Sequence, residues 1–248
     1  MTAAEKKILI VVMDGLGDRA CRDLRGLTPL QYIRHPNLDW FLSHGQGGLC
    51  YPIGPGIRPG SDTAHLAILG YDVESVYTGR GPFEAIGIGM DIQPGDVALR
   101  CNFATVNDDL EILDRRAGRI REPETTELVE SLDSIEIDGI ECLVKESTEH
   151  RAVLLLRGDG LSPEITDADP GGDTHLLMVE PKVEEAEFTA SVVNRFMEEC
   201  YERLKNHPTN RKRMAAGLPP ANILVPRGAG SFPYIDPFPE IHGISAAC

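Results

Sequence analysis

The six cysteines, Cys21, Cys50, Cys101, Cys142, Cys200 and Cys248, include no CxxC pair. Scattered so widely, they read as reduced thiols in an intracellular protein rather than as a disulfide framework. Long apolar runs are missing too. The run Ile8 to Met13 is ended by Asp14, so MTAAEKKILIVVMDG does not read as a signal peptide. No stretch approaches the length of a membrane span, and the expected compartment is the cytoplasm. Basic charge is scarce: 24 Lys and Arg stand against 39 Asp and Glu, a net charge of −15. A duplex-binding protein needs a basic face, so nucleic acid is not expected as the main partner. There is no internal repeat and no low-complexity tract. What remains is an ordinary soluble composition, 42% hydrophobic and 25% charged over 248 residues. It suffices for one large domain or two smaller ones, and leaves a homo-oligomer open.

Ile8 to Met13, rich in β-branched residues, predicts a buried parallel strand. Asp14-Gly15 follows it. Ligand sites of open α/β sheets lie beyond the carboxyl ends of strands, where Asp14 would stand; a plain turn aspartate is the alternative. Pro36 to His44 predicts a helix with Gly45 after its end. Gly48 to Ile53 predicts a strand, and Pro82 to Ile86 a short helix. From Val97 the texture changes. Val97–Val106 and Leu110–Leu113 predict paired strands joined by Asn107-Asp108-Asp109. Helices are expected over Pro123–Leu132 and Val183–Leu204, with another ending at Gly217. Strands are expected at Ile140–Lys145, Arg151–Arg157 and Ala221–Val225. Ile244 to Ala247 resembles the start of a buried strand, with a terminal edge strand as the alternative.

The stretch GPGIRPGSDTAHLAILGYD, residues 54–72, carries the chemistry. Ser61 stands where a stiff loop meets a helix. A helix N-terminus offers free N–H groups and partial positive charge, which suit a phosphate. A serine is a poor nucleophile unless its proton is removed or its alkoxide stabilised, which a divalent metal does directly. The plain alternative is an N-cap serine. His65, four residues on, shares its helical face; a surface or satisfied core histidine is the alternative. Asp14 at a strand end together with Ser61 suggests a metal-activated serine for phosphoryl transfer.

VVMDGLGD, GIRPGSDTAHLAILGYD and YTGRGPFEAIG, followed by HRAVLLLRGDGLSPEITDADP and NRKRMAAGLPPANILVPRGAG, resemble the archaeal-type branch of the cofactor-independent phosphoglycerate mutases. That family belongs to the alkaline phosphatase superfamily, and the resemblance covers nearly the whole chain. It implies an α/β fold in which an alkaline-phosphatase-like core, incomplete in this chain, is interrupted by an inserted α+β domain. Residues 1–91 would be the first part of the core, 92–227 the inserted substrate-binding domain and 228–248 the return. It further implies a metal-dependent isomerase that interconverts 3-phosphoglycerate and 2-phosphoglycerate through a phosphoserine. Two divalent ions (Mn, Mg, Zn or Co) and no bisphosphoglycerate would be required. Asp14 and Ser61 match metal ligands, Ser61 also the phosphorylated serine, and His65 the motif histidine in a supporting role.

A substrate with a phosphate and a carboxylate calls for arginine forks. Among the candidates, Arg116, Arg119, Arg213 and Arg227 rank above Arg151 and Arg157, with a solvated side chain the alternative for each. Asp167 would hold a glycerate hydroxyl or orient an arginine. The pattern departs from the family in one respect: after Gly230 the sequence supplies no second set of aspartate and histidine ligands, and His242 is isolated. The 248 residues are therefore expected to be an incomplete enzyme, inactive alone. Two other functions compete. One is another phosphotransferase or phosphohydrolase on this scaffold, such as a small-molecule kinase; the other is a non-catalytic binding protein.

Overall fold

The computed structural model describes residues 7–171 and 175–247; the expected free thiol at Cys248 lies outside them. The chain divides into two units, Met1–Tyr51 and Pro52–Cys248.

In the first unit, α1 (Pro29–Tyr32) is fixed by a reciprocal cap: the Thr28 hydroxyl accepts from the Gln31 amide at 3.2 Å, and the Gln31 side chain accepts from the Thr28 amide at 3.0 Å. α2 (Pro36–His44) begins on its proline and stops before Gly45, as the sequence predicts. The expected strand at Ile8 to Met13 does not form, and its side chains are 47–86% exposed. A parallel strand needs neighbours for its backbone groups and a layer over its side chains. No described residue of this unit is buried, so neither is available here. The expected strand at Gly48 to Ile53 is absent for want of a pairing partner as well.

The second unit opens with α3 (Ser61–Ile68), α4 (Val73–Val76) and α5 (Arg80–Gly87). β1 (Val97–Val106), β2 (Ile112–Asp114), α6 (Glu124–Glu130), β3 (Ile135–Ile137), β4 (Ile140–Glu146) and β5 (Arg151–Arg157) follow. α7 (Glu187–Leu204), α8 (Pro208–Ala215), β6 (Ile223–Ser231) and α9 (Phe238–His242) complete it. α7 starts four residues late because Val183 is extended and Glu184–Ala186 forms a 3-10 turn. β6 runs well past the expected Val225, since its backbone keeps pairing with β1 as far as Ser231. Ile244 to Ala247 forms no strand and is exposed, lacking any neighbouring strand.

Every pairing among the named strands is antiparallel. The sheet runs β3-β4-β5-β1-β6, with β2 pairing only the last residues of β1. The fold is thus mixed α/β, and its described sheet is antiparallel. β1 is its centre. The alternation along VALRCNFATV sends Val97, Leu99, Cys101 and Phe103 to one face. There they pack with Val192, Val193, Phe196 and Cys200 of α7. Burial pushes the Cys101 thiol up and those of Cys142 and Cys200 to about 12, which keeps them protonated; the five described cysteines are free. No helix among the described residues is long and apolar enough to cross a membrane.

The opposite face starts apolar, where Ala98, Val153 and Leu155 cluster with Ala85 of α5 and Ile92. Here α5 lies directly on the backbone of β1. A Cβ on Gly81 would sit 2.1 Å from the carbonyl oxygen of Ala98. Gly81→Ala is therefore expected to lift α5 from β1 and destabilise the chain by about 1–3 kcal/mol. Chemical denaturation checks this, and an unchanged midpoint would contradict the close packing.

Candidate functional site

Beyond Ala98, the α5 side of the sheet turns polar. Arg100 and Asn102 follow on the same face of β1. Across the ladders, Arg227 of β6 stands opposite Arg100, and Arg151 of β5 stands opposite Asn102. Directly opposed residues share a face, so one patch gathers three guanidinium groups. Arg80, at the start of α5, joins them. Its Cβ would lie 3.0 Å from a Cβ on Gly228, which has a positive φ of 61° and lets the two segments meet.

Arg100 is 7% exposed. Burial pushes its guanidinium down to about 10, and Arg80, Arg151 and Arg227 push the same way, while Glu84 opposes them. It stays protonated at neutral pH. Glu84 Oε2 is 3.3 Å from Arg100 Nε, and Glu84 Oε1 accepts from the Ser147 hydroxyl at 2.9 Å. Even so, Arg100 Nε and Arg151 Nε are buried without a hydrogen-bond partner, as are Asn102 Oδ1 and His150 Nδ1. Buried donors are ordinarily satisfied. Burial and the nearby Arg151 and Arg116 hold the His150 imidazole below its usual range. The result is a positive, sheltered surface with N–H groups to spare, suited to an oxyanion.

The expected residues fall into three groups. Arg151 and Arg227 belong to this face, and Arg116 is close enough to act on His150. Arg227 donates to Asp169 at 3.0 Å, and Asp169 also binds Arg115. Asp167 accepts from the Gly228 amide at 2.7 Å, fixing the chain beside Arg80. A second group is held elsewhere. Arg157 is bound to Asp96 at 2.7 Å and to the Asp91 carbonyl at the other end of β5. Arg213 is buried and spends its donors on Pro219, Ala117 and Glu124. Arg119 is exposed on a 3-10 turn.

The third group is the serine helix. Gly60 is its N-cap, and Ser61 is the first helical residue rather than the cap. Thr63 does the capping work: its hydroxyl accepts from the Gly60 amide at 2.9 Å. Ser61 and His65 are exposed, and the His65 ring contacts the Ser61 carbonyl. Asp14 lies in the first unit, in a turn ahead of Gly15, whose φ is 75°. Among the described residues no three histidines, cysteines or carboxylates form a group that could hold a metal ion.

Sequence reasoning passed over Arg80, Arg100, Glu84, Asp62 and Tyr77. For Arg100 a signal existed: in VALRCNF the polar residues alternate with apolar ones, marking a charged face on a buried strand. Arg80 and Glu84 stand four apart in RGPFE, one turn of helix. Nothing in the sequence says that this turn covers Arg100.

The family model for 2,3-bisphosphoglycerate-independent phosphoglycerate mutase matches residues 43–210. A curated relative of that name from Methanosphaera stadtmanae is 49% identical over 246 residues, covering 98% of this chain and 60% of the relative. One from Methanopyrus kandleri is 50% identical over 255 residues, covering 100% and 60%. A solved cofactor-independent phosphoglycerate mutase from Thermoplasma acidophilum superposes with a TM-score of 0.62 at 43% identity, covering 91% of this chain and 59% of that one. The chain thus spans about 60% of the length of the curated relatives it matches. With the family model over most of the sequence and near-50% identity across it, the chain belongs to the 2,3-bisphosphoglycerate-independent phosphoglycerate mutase family.

Proposed function

We propose that this chain supplies the nucleophile and the anion-binding face for the interconversion of 3-phosphoglycerate and 2-phosphoglycerate without bisphosphoglycerate. The observation that carries this is the polar end of β1, where Arg100, ion-paired with Glu84, and Arg151 keep buried Nε–H groups that make no hydrogen bond, beside Arg227. Phosphoglycerate presents a phosphate and a carboxylate on one three-carbon chain, and a patch of guanidinium groups suits both. Glu84 limits the positive charge, so that a dianionic group is attracted without the empty face repelling itself apart.

In this reading Ser61 Oγ attacks the phosphorus of the substrate as its proton leaves. The bond from phosphorus to the C3 oxygen breaks, and that oxygen takes up a proton. The freed glycerate stays on the arginines and turns. Its C2 hydroxyl then attacks the phosphoserine while losing its proton, and Ser61 Oγ departs and is reprotonated. Water must be kept out between the two transfers, because otherwise hydrolysis would replace isomerisation. The family's two divalent ions would activate the serine; their ligands in this chain would include Asp14 and Ser61. The proposal also takes residues 1–91 and 228–248 as parts of a phosphatase-like domain and 92–227 as the inserted substrate domain, in a cytoplasmic enzyme.

Two outcomes test the reading. Ser61→Ala in the full-length enzyme should lower kcat on the order of 10⁴–10⁶-fold, as loss of a covalent nucleophile does. As a surface change at a non-cap position it should alter stability by no more than about 0.5 kcal/mol. Near-normal turnover would remove Ser61 from the chemistry. Arg100→Lys keeps a cation for Glu84 but loses the planar fork, and should weaken 3-phosphoglycerate binding about 10- to 100-fold by calorimetry. Unchanged affinity would take the substrate off this face.

A further inference from the structure

The serine helix and the arginine face are separate elements, joined by the segment Tyr77-Thr78-Gly79-Arg80. Tyr77 Oη donates to Asp62 Oδ2 at 2.5 Å, and Asp62 Oδ1 accepts from the Thr63 amide at 3.0 Å. An O–H bonded to a carboxylate at that distance is among the stronger hydrogen bonds in proteins. The Tyr77 ring is stacked on Phe83 of α5, with centroids 5.7 Å apart and planes 13° from parallel. One residue on, the Thr78 hydroxyl donates to the Ser231 carbonyl of β6 at 2.7 Å. Gly79 then lies against the backbone of β6, where a Cβ would come 2.3 Å from the Ala229 carbonyl oxygen. One end of the segment therefore grips the first turn of α3, and the other grips the strand that carries Arg227.

We propose that Tyr77 is a positioning residue: through Asp62 it locks the first turn of α3, and with it Ser61, in a fixed place relative to β6. The inference rests on Ser61 being the nucleophile. The electrostatics agree with the geometry. Burial alone would raise the Asp62 carboxyl, but the bonds from Tyr77 and the Thr63 amide, with the charge of Arg80, hold it below its usual range. The Tyr77 phenol is pushed up by burial, by its bond to Asp62 and by that carboxylate's charge, with Arg80 opposing. Phenol and carboxylate thus keep their donor and acceptor roles at neutral pH. A clamp of this kind matters because a nucleophile displaced by about 1 Å can lose about 100-fold in rate.

Tyr77→Phe removes only the hydroxyl and keeps the ring on Phe83. Two measurements test it. In the 248-residue chain, hydrogen exchange at the amides of Thr63 and Ala64 should speed up about 10-fold. In the full-length enzyme, kcat should fall about 10- to 100-fold with KM within about 2-fold, because the arginine face is untouched. Faster exchange with unchanged kcat would overturn the positioning role, and so would lowered kcat with unchanged exchange. Wild-type enzyme without mutase activity would sink the reading of Ser61, while the exchange data would still decide whether the clamp exists. Should Tyr77→Phe fail to fold, Asp62→Asn carries the same test, with the same direction expected in both measurements.

Discussion

A guanidinium withdrawn from water must recover its lost solvation from charge and hydrogen bonds, and Arg100 does so only in part. Its strand is paired along both edges, which fixes the backbone that carries it. Glu84 is brought to it by α5, and α5 can approach because Gly81 rests on the β1 backbone. Ser147 holds the second oxygen of Glu84 in turn. One buried cation therefore ties together β1, α5 and the turn after β4. Its Nε, though ion-paired with Glu84, and that of Arg151 make no hydrogen bond, a costly arrangement that a bound oxyanion would relieve.

The same closeness of backbones orders the route to the serine. Gly79 and Gly230 permit the loop after α4 to lie flat on β6: a Cβ on Gly230 would meet the Thr78 carbonyl oxygen at 2.3 Å. Larger side chains at these two places would separate the helix that bears Ser61 from the sheet that bears the arginines. Arg80 is the electrostatic link. It stabilises the Asp62 carboxylate and adds to the positive field at Arg100. An acidic chain of net charge −15 thus holds a local cationic patch by placing arginines from four separate elements on one face.

The sequence is most legible where local signals agree with tertiary partners that are present. β1, β4, β5, α2 and α7 carry clear alternation or helical periodicity and fall close to their expected bounds. The Ile8–Met13 run is as apolar as any of these, but apolarity is only a demand for cover, and no described residue of its unit is buried. Among the candidate site residues, Ser61 stands out from its loop-to-helix context and Arg151 from its place at a strand end. Arg213 and Arg157 look equally suitable in sequence, because a guanidinium that binds Glu124 or Asp96 cannot be told by type from one left free for a ligand. Arg100 is hidden for the opposite reason. A charged residue in a buried strand has meaning only once its cross-strand neighbours are known, and Arg227 lies 127 residues further along the chain.

The central claim is that Arg100, Arg151 and Arg227 act as one oxyanion-binding face. Arginine Nε–H resonances of the 248-residue chain, followed by NMR as 3-phosphoglycerate is added, test it most directly. The account predicts that the Nε–H signals of these three arginines move together along a single saturating curve, while those of Arg157 and Arg213 stay fixed in their ion pairs. Movement spread evenly over exposed arginines, with Arg100 and Arg151 unchanged at saturation, would contradict it.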